Sequence, residues 1–461
     1  MTAIFFLIAY AVLMIGLTAA FTGKNNDGSD FYVGRRNMGM VQTAMSIAAT
    51  WIWAPALFTS AEKAYSNGYA GLFYFLVPNI LCLLFFIPFA RKIREEMPDG
   101  ITLSGYMGMK YNSDGVRRVY HFQLAALSVL STAVQLLAGG KVLSVLTGIS
   151  FPVATVILAA IALSYSCISG IRASVLTDVV QMAFMLAACA LFVPWALIQN
   201  GGAFSMAGIS GEYTGLFTGK GIEVFLGFGL PTAIGLFAGP FGDQCFWQRV
   251  FSVRKDRIGR SFGLGAFFFA MVPLSMGILG FIAAGAGFVP SDSGMVNFEL
   301  IKSILPSWTL IPFMFMLISG LLSTVDSNLC AVASLTTDKE ANDTSKAKGI
   351  RAMLVLLIIA IAIANIPCLT VTHMFLFYGT FRAATMLPTI MTLIGVELKP
   401  LGVTAGIIAA LAMGIPVFSY GNLLGISEYK TAGSLITVLL SGIVAVAYSR
   451  ISQRKAVAGW K

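Results

Sequence analysis

The residues in this chain that could do chemistry are few, and they sit inside long apolar runs. Asp178, Asp243, Asp326, Arg382, His121, Lys141 and the adjacent Glu62 and Lys63 all interrupt such runs. An ionisable group held there is expensive and marks a solute or ion path by default. Glu62, Lys63 and Lys141 fall near the ends of their runs, where a side chain can snorkel to water. Neither His121 nor His373 has a Cys, His or carboxylate at ligand spacing, so no metal site is read at either. The stretch LISGLLSTVDSNLCAVASLTTD (317–338) sets Ser323, Thr324, Ser327 and Ser334 around Asp326. A hard cation wants several oxygens, which these hydroxyls could supply. Bonding between helices, or back to the preceding turn, is the plainer use of the same groups. The glycines of GFGLPTAIGLFAG (227–239) follow no strand and cradle no phosphate. Enzyme chemistry has no foothold.

The elements that must hold these residues follow from composition. The chain has 461 residues, 57% hydrophobic and 11% charged, with a mean hydropathy of +0.84. Soluble domains carry about 25% charged residues, so lipid is the solvent here. Apolar runs give thirteen expected spans: 2–21, 41–66, 70–92, 119–147, 151–169, 174–199, 222–248, 260–288, 308–337, 349–368, 371–395, 401–419 and 431–449. Backbone exposed to lipid must satisfy its own hydrogen bonds, and runs this long are helices rather than barrel strands. The first run has no basic lead and no small-residue cleavage site, so it reads as a retained helix. Six cysteines scattered through apolar segments read as small buried hydrophobes.

The net charge of +10 is a topology signal, not a nucleic-acid footprint. With the N-terminus outside, 24 Lys and Arg fall on the cytoplasmic side, Lys24, Arg249, Lys339 and Lys461 among them, against Lys63, Lys220, Lys302 and Lys430 outside. That asymmetry predicts an N-out, C-in protein of the plasma membrane, the inner membrane in a bacterium. Two spans are weak as helices. The second contains SIAATWIWAPALFTSAEKAYSNG, with Pro55, and the seventh contains Gly227, Gly229, Pro231, Gly235, Gly239, Pro240 and Gly242. Broken helices in corresponding places of two halves mark transporter sites, and ordinary kinks and close packing are the alternative.

Taken together, SGIRASVLTDVVQ (169–181), GLLSTVDSNL (320–329), GPFGDQCFWQRVFSVRKD (239–256) and FYVGRRNMG (31–39) resemble the sodium:solute symporter family. WIWAPAL and GDQCFWQ lean toward its urea-type branch. The resemblance covers essentially the whole chain. It implies an all-α integral membrane protein of about 13 transmembrane helices, with a LeuT-like core of two inverted five-helix repeats and broken helices. One transporter domain would span 1–461: a peripheral helix (1–40), core repeats 41–200 and 222–396, peripheral helices (400–450) and a cytoplasmic tail (451–461). The family's sodium site, carried onto this sequence, uses carbonyls of Ala49, Ile52 and Gly320 and the hydroxyls of Ser323 and Thr324. Asp178 matches an aspartate that lies on the ion exit path or belongs to a second sodium site.

The same resemblance puts a substrate site between spans 2, 7 and 11, with Trp53, Phe237, Pro240, Gln244 and Arg382 as candidate lining residues. Arg382 allows two readings. It could grip a substrate carboxylate bidentately, or it could pair internally with Asp243 and leave the substrate neutral. The implied function is Na+-coupled import of a small polar solute, carboxylate-bearing or urea-like, by alternating access, with no organic cofactor. A proton-coupled symporter of the same fold, a transport-inactive sensor and a passive channel are the rivals.

Overall fold

The computed structural model describes residues 2–209, 211, 215–337 and 345–458, less 22–27; Lys24, Lys339 and Lys461, used in the charge count, lie outside the described residues. Among these residues the chain is helical, with one isolated backbone bridge between Met38 and Val253. The principal helices are α1 (Thr2–Phe21), α2 (Gly28–Val33), α3 (Met40–Trp51), α4 (Ala54–Leu57), α5 (Thr59–Glu96), α6 (Leu103–Lys110), α7 (Asp114–Thr147), α8 (Phe151–Ser169), α9 (Ile171–Gln199) and α10 (Gly219–Val224). The chain continues through α11 (Leu230–Gly242), α12 (Gln244–Ser252), α13 (Ile258–Gly285), α14 (Val296–Ile304), α15 (Leu310–Leu335), α16 (Lys346–Ala364), α17 (Val371–Leu393), α18 (Pro400–Leu424) and α19 (Ser427–Ala458).

Helices lie over each of the thirteen apolar runs, and ten of them are long and apolar enough to cross a membrane by length and composition. The three that fall short of that measure have visible reasons. Helix α1 is apolar along its whole length but is measured only over Leu7–Phe21, the α3–α4 run is broken, and α17 carries His373, Arg382 and several hydroxyls. Helix α5 is two helices joined at Gly68, where the backbone turns through φ +59° and ψ −145°. A side chain there would sit 2.4 Å from the Met206 carbonyl oxygen, so glycine is required.

Breaks fall close to where sequence placed them, but Pro55 is not the break itself. Helix α3 stops at Trp51, Ile52 (φ −82°, ψ 73°) leaves the helical region, Trp53 (φ −96°, ψ 179°) is extended, and Pro55 sits in the first turn of α4. A missing N–H costs nothing at that position. In the second half a five-residue π-turn, Phe225–Gly229, leads into α11, and the chain leaves the helix at Asp243 (φ −101°, ψ 110°) before α12. Of the six cysteines, Cys82, Cys189, Cys245 and Cys330 are buried as expected, whereas Cys368 is exposed.

Packing brings the two breaks together. Helix α3 lies on α13 and α9, α11 on α17 and α5, and α15 on α7 and α9. The α11–α17 crossing is tight because Gly235 meets Gly379: a Cβ on Gly235 would stand 2.7 Å from the Gly379 Cα. Gly239 and Gly242 then leave room for Arg382, whose Cζ and Cβ lie 3.0 and 2.8 Å from where their side chains would start. The glycines of the seventh span thus serve close approach. Aromatic edges lock α12 beneath α5, with Phe86 and Trp247 ring centroids 4.6 Å apart.

Gly235→Ala should therefore cost about 1–3 kcal/mol of stability, the usual range for overpacking against backbone that cannot move. Gly263→Ala on α13, where nothing lies within 4 Å, should be neutral or stabilising. Thermal unfolding of both variants in detergent checks the pair. Equal behaviour would remove the close crossing as the reason for these glycines.

Candidate functional site

Breaking α3 frees backbone groups that lipid could not satisfy, and neighbouring helices take them. The Ala54 N–H would have bonded the Thr50 carbonyl in a continuous helix; it donates instead to Gln135 Oε1 at 2.7 Å. The released Thr50 carbonyl accepts from Thr324 Oγ1 of α15 at 3.1 Å, and Thr324 also reaches the Gly320 carbonyl at 3.3 Å. The Ile52 carbonyl oxygen lies 3.2 Å from the Cβ position of Gly320. Ala49, Ile52 and Ser323 are fully buried beside this contact. Among the sequence candidates, then, Ile52, Gly320 and Thr324 meet directly, and the carbonyl on Thr324 is that of Thr50 rather than Ala49. The donor set is all oxygen and fits a hard cation such as sodium.

Ser323 points the other way, donating to Asp178 Oδ1. Ser46 Oγ and Arg249 Nη2 also donate to Asp178, the latter at 3.0 Å with both groups fully buried. Arg249 continues to Ser46 Oγ at 2.9 Å, Ser327 Oγ at 2.7 Å and the Cys245 carbonyl at 3.0 Å. The charge count had put Arg249 in a cytoplasmic connection. The structure corrects that, since α12 begins directly after the Asp243 break and turns its Arg inward onto Asp178. Asp326 lies next to this network but has no ion-pair partner among the described residues. Its oxygens accept from Ser174 Oγ at 2.7 Å and Tyr165 OH at 2.9 Å. Two buried carboxylates therefore lie beside one guanidinium, which pairs with Asp178 alone.

The second cluster sits at the other break. Arg382 Nη1 pairs with Asp243 Oδ2 at 3.2 Å, and Arg382 Nε donates to the Gly235 carbonyl. Tyr378 OH donates to the other Asp243 oxygen. The guanidinium carbon stands 5.3, 5.6 and 4.8 Å from the ring centroids of Trp51, Trp53 and Tyr378, within cation–π range. Of the two readings of Arg382, the geometry has the internal pair. These groups line a cavity of about 10 Å³, together with Thr50, Ser131, Phe246, Thr324 and Asn328. That is room for one water-sized body.

Trp53 and Arg382 thus line this cavity, while Phe237, Pro240 and Gln244 do not. The break at Asp243 resets the helical register. Phe237 meets Phe85 edge-on, with ring centroids 5.6 Å apart, and Pro240 is buried within α11. Gln244 Nε2 donates to the Ile101 carbonyl at 2.9 Å, while its Oε1 accepts from the Leu103 N–H at 3.1 Å. Trp51, Tyr378 and Asn328 went unread in sequence. Trp51 and Trp53 flanking a break was the available signal.

A larger cavity of about 330 Å³ lies further along the same helices, lined by Thr59, Glu62, Lys63, Lys141, Asp292 and His373 among others. Lys141 pairs with Asp292 at 3.1 Å and Lys63 with Glu62 at 2.9 Å. Its lysines belong to, or lie near, the side the charge count puts outside. At the opposite end Arg36 ties the Asp99 and Gly100 carbonyls, each at 2.7 Å, and Gln248 ties the Tyr32 carbonyl at 2.7 Å. The two cavities share no lining residue.

Residues 31–398 match the model of the Sodium:solute symporter family. The chain is similar to the Urea-proton symporter DUR3 of Oryza sativa subsp. japonica, 21% identical over 504 residues that cover 96% of this chain and 69% of that one. It is also similar to the Sodium/pantothenate symporter of Escherichia coli, 25% identical over 39% of this chain and 38% of that one. It spans less than half the length of the yeast urea transporters it matches, in Saccharomyces cerevisiae and Schizosaccharomyces pombe. Its fold is similar to that of a Na+-coupled sialic acid symporter solved in a substrate-bound outward-open state, with a TM-score of 0.74 and 16% identity over 97% of this chain and 98% of that one. The fold is all-helical and LeuT-like.

Removing one partner of a buried pair strands the other charge, at about 3–5 kcal/mol. Asp178→Asn and Arg249→Gln should each destabilise by that order, and the double variant by clearly less than their sum. Equilibrium unfolding of the three variants forms the cycle; additive losses would show that the two groups do not depend on each other.

Proposed function

The chain belongs to the sodium:solute symporter family, a family of membrane transporters and not of enzymes, and from that premise we propose that it couples inward movement of a small, neutral polar solute to sodium. Sodium binds at the broken second span, among the carbonyls of Ala49, Ile52 and Gly320 and the hydroxyl of Thr324, with the Ser323 hydroxyl turning from Asp178 to join them and Thr324 releasing the Thr50 carbonyl. The observation that carries this reading is the Thr50–Thr324 contact, where a backbone carbonyl freed by the break meets a hydroxyl of α15. An ion held by both elements favours the arrangement in which they touch, so ion occupancy and conformation are linked. Because the linkage is reciprocal, solute must tighten sodium by the factor that sodium tightens solute.

Alternating access would move the repeats 41–200 and 222–396 against each other in a plasma membrane, N-terminus outside. The 330 Å³ cavity is then the outer vestibule, and the Arg36 and Gln248 ties seal the inner face. Ions leave past Asp178, which must release Arg249 or pass the ion beside it. Neutrality of the solute follows from Arg382, whose charge is already met by Asp243. A second reading has its own observation: Asp326 lies buried beside the Asp178–Arg249 pair with hydroxyl partners only, and a proton would balance it as well as sodium would. The rice relative's description as a urea-proton symporter points the same way.

Purified protein in proteoliposomes, given radiolabelled urea, tests the reading. Uptake should follow an inward sodium gradient and fall to background when potassium replaces sodium. Loss of one oxygen ligand worth about 1.4 kcal/mol is tenfold in affinity, so Thr324→Ala should raise the half-saturating sodium concentration roughly tenfold. Uptake driven by a proton gradient alone, indifferent to sodium, would give the proton reading.

A further inference from the structure

The cavity of about 330 Å³ carries charge that the proposed function does not use. Among the described residues its wall presents three ammoniums, of Lys63, Lys141 and Lys430, and two carboxylates, of Glu62 and Asp292. Both carboxylates are committed. Glu62 accepts from Lys63 Nζ at 2.9 Å on one oxygen and from Thr372 Oγ1 at 2.8 Å on the other. Asp292 accepts from Lys141 Nζ at 3.1 Å on one oxygen and from the Gly294 N–H at 2.9 Å on the other. Lys430 is left over. Its ammonium has no ion-pair partner among the described residues, and Lys63 is close enough to repel it.

Position makes that charge harder to hold. Lys430 is half-buried and lies in the first turn of α19, the positive end of a helix, where an anion is favoured and a cation is not. The first turn of α17, with Val371, Thr372 and His373, lines the same space and brings a second positive end. The rest of the wall does little to offset this, since Phe58, Phe228 and Leu376 are apolar. Lys63 already lies over the Phe228 ring, 5.3 Å from its centroid. The space is the size of a small-ligand site, and with His373 neutral it lacks a single negative charge.

We propose that this cavity binds one small monovalent oxyanion, of carboxylate size, between Lys430 of α19 and Lys63 of α5. The bound anion makes the wall neutral and relieves the repulsion between the two ammoniums. The site lies apart from the break, for it shares no lining residue with the cavity beside Arg382 and Asp243. Its effect is electrostatic. A cation is repelled by a net-positive vestibule and passes a neutral one more readily, so external anion speeds sodium entry. That consequence rests on the transport reading; the anion site itself does not.

Equilibrium binding of radiolabelled acetate to the purified protein tests the site without requiring flux. Ionic strength is held fixed with a bulky sulfonate as the remaining anion. Acetate should bind saturably, one per chain, and be displaced by formate. Lys430→Gln should weaken it about tenfold, the worth of one charge-assisted hydrogen bond. Lys430→Met is a second neutral variant and should do the same, and both should melt like the parent without acetate. Lys430→Arg keeps the charge and should keep the binding. Lys302→Gln removes an exposed lysine outside the cavity and should change nothing. Absence of saturable acetate binding, or neutral Lys430 variants that bind acetate like the parent, would overturn the proposal. In proteoliposomes, external acetate should speed sodium entry in the parent and leave Lys430→Gln unaffected. Acetate binding without sodium-driven flux would leave the anion site standing and remove the transport reading. Sodium-driven urea flux in a protein that binds no acetate would do the reverse.

Discussion

A chain inside lipid has nothing but itself to satisfy a backbone N–H or carbonyl, and the break in span 2 has to be read under that constraint. At Ile52 and Trp53 the helix gives up its own bonds, and each freed group is claimed by a different helix. Gln135 of α7 takes the Ala54 N–H, and Thr324 of α15 meets the Thr50 carbonyl. The break is therefore a junction of three elements. A junction made of oxygens, with one donor hydroxyl that an ion could replace, is where a small cation can change which helices belong together.

Charge follows the same economy. The membrane interior of this protein holds two clusters, one at each break. In one, Asp243 and Arg382 are matched and boxed in by aromatic rings, so the cluster is neutral. In the other, Asp178 and Arg249 are matched while Asp326 is held only by the hydroxyls of Tyr165, Ser174 and their neighbours. With both carboxylates ionised that cluster would lack one positive charge, and its Asp326 sits on the same helix, α15, as Thr324. A coupling cation, or a proton on Asp326, would meet that imbalance beside the oxygen junction.

Much of this was legible in sequence for particular reasons. Apolar runs map onto helices because lipid enforces hydrogen-bonded segments, and the Gly/Pro content of spans 2 and 7 marked weak helices. Trp53 and Arg382 were legible because one follows the break and the other is a lone cation in an apolar helix. Phe237, Pro240 and Gln244 lie away from the small cavity because a register counted along a continuous helix fails once the chain leaves it at Asp243. Arg249 was hidden by the rule that basic residues at span ends face water, which says nothing of an Arg that turns back onto a buried carboxylate. The surplus ammonium of Lys430 depends on three-dimensional neighbours, and no spacing announces it.

The central claim is that the oxygen junction between the broken second span and α15 binds the coupling cation and is linked to solute binding. Radiolabelled sodium binding to the purified protein, titrated with and without urea, tests it most directly. The account predicts saturable sodium binding that urea tightens, with the effect lost when the Thr324 hydroxyl is removed. Saturable binding indifferent to both urea and Thr324, or no sodium binding at all, would contradict it.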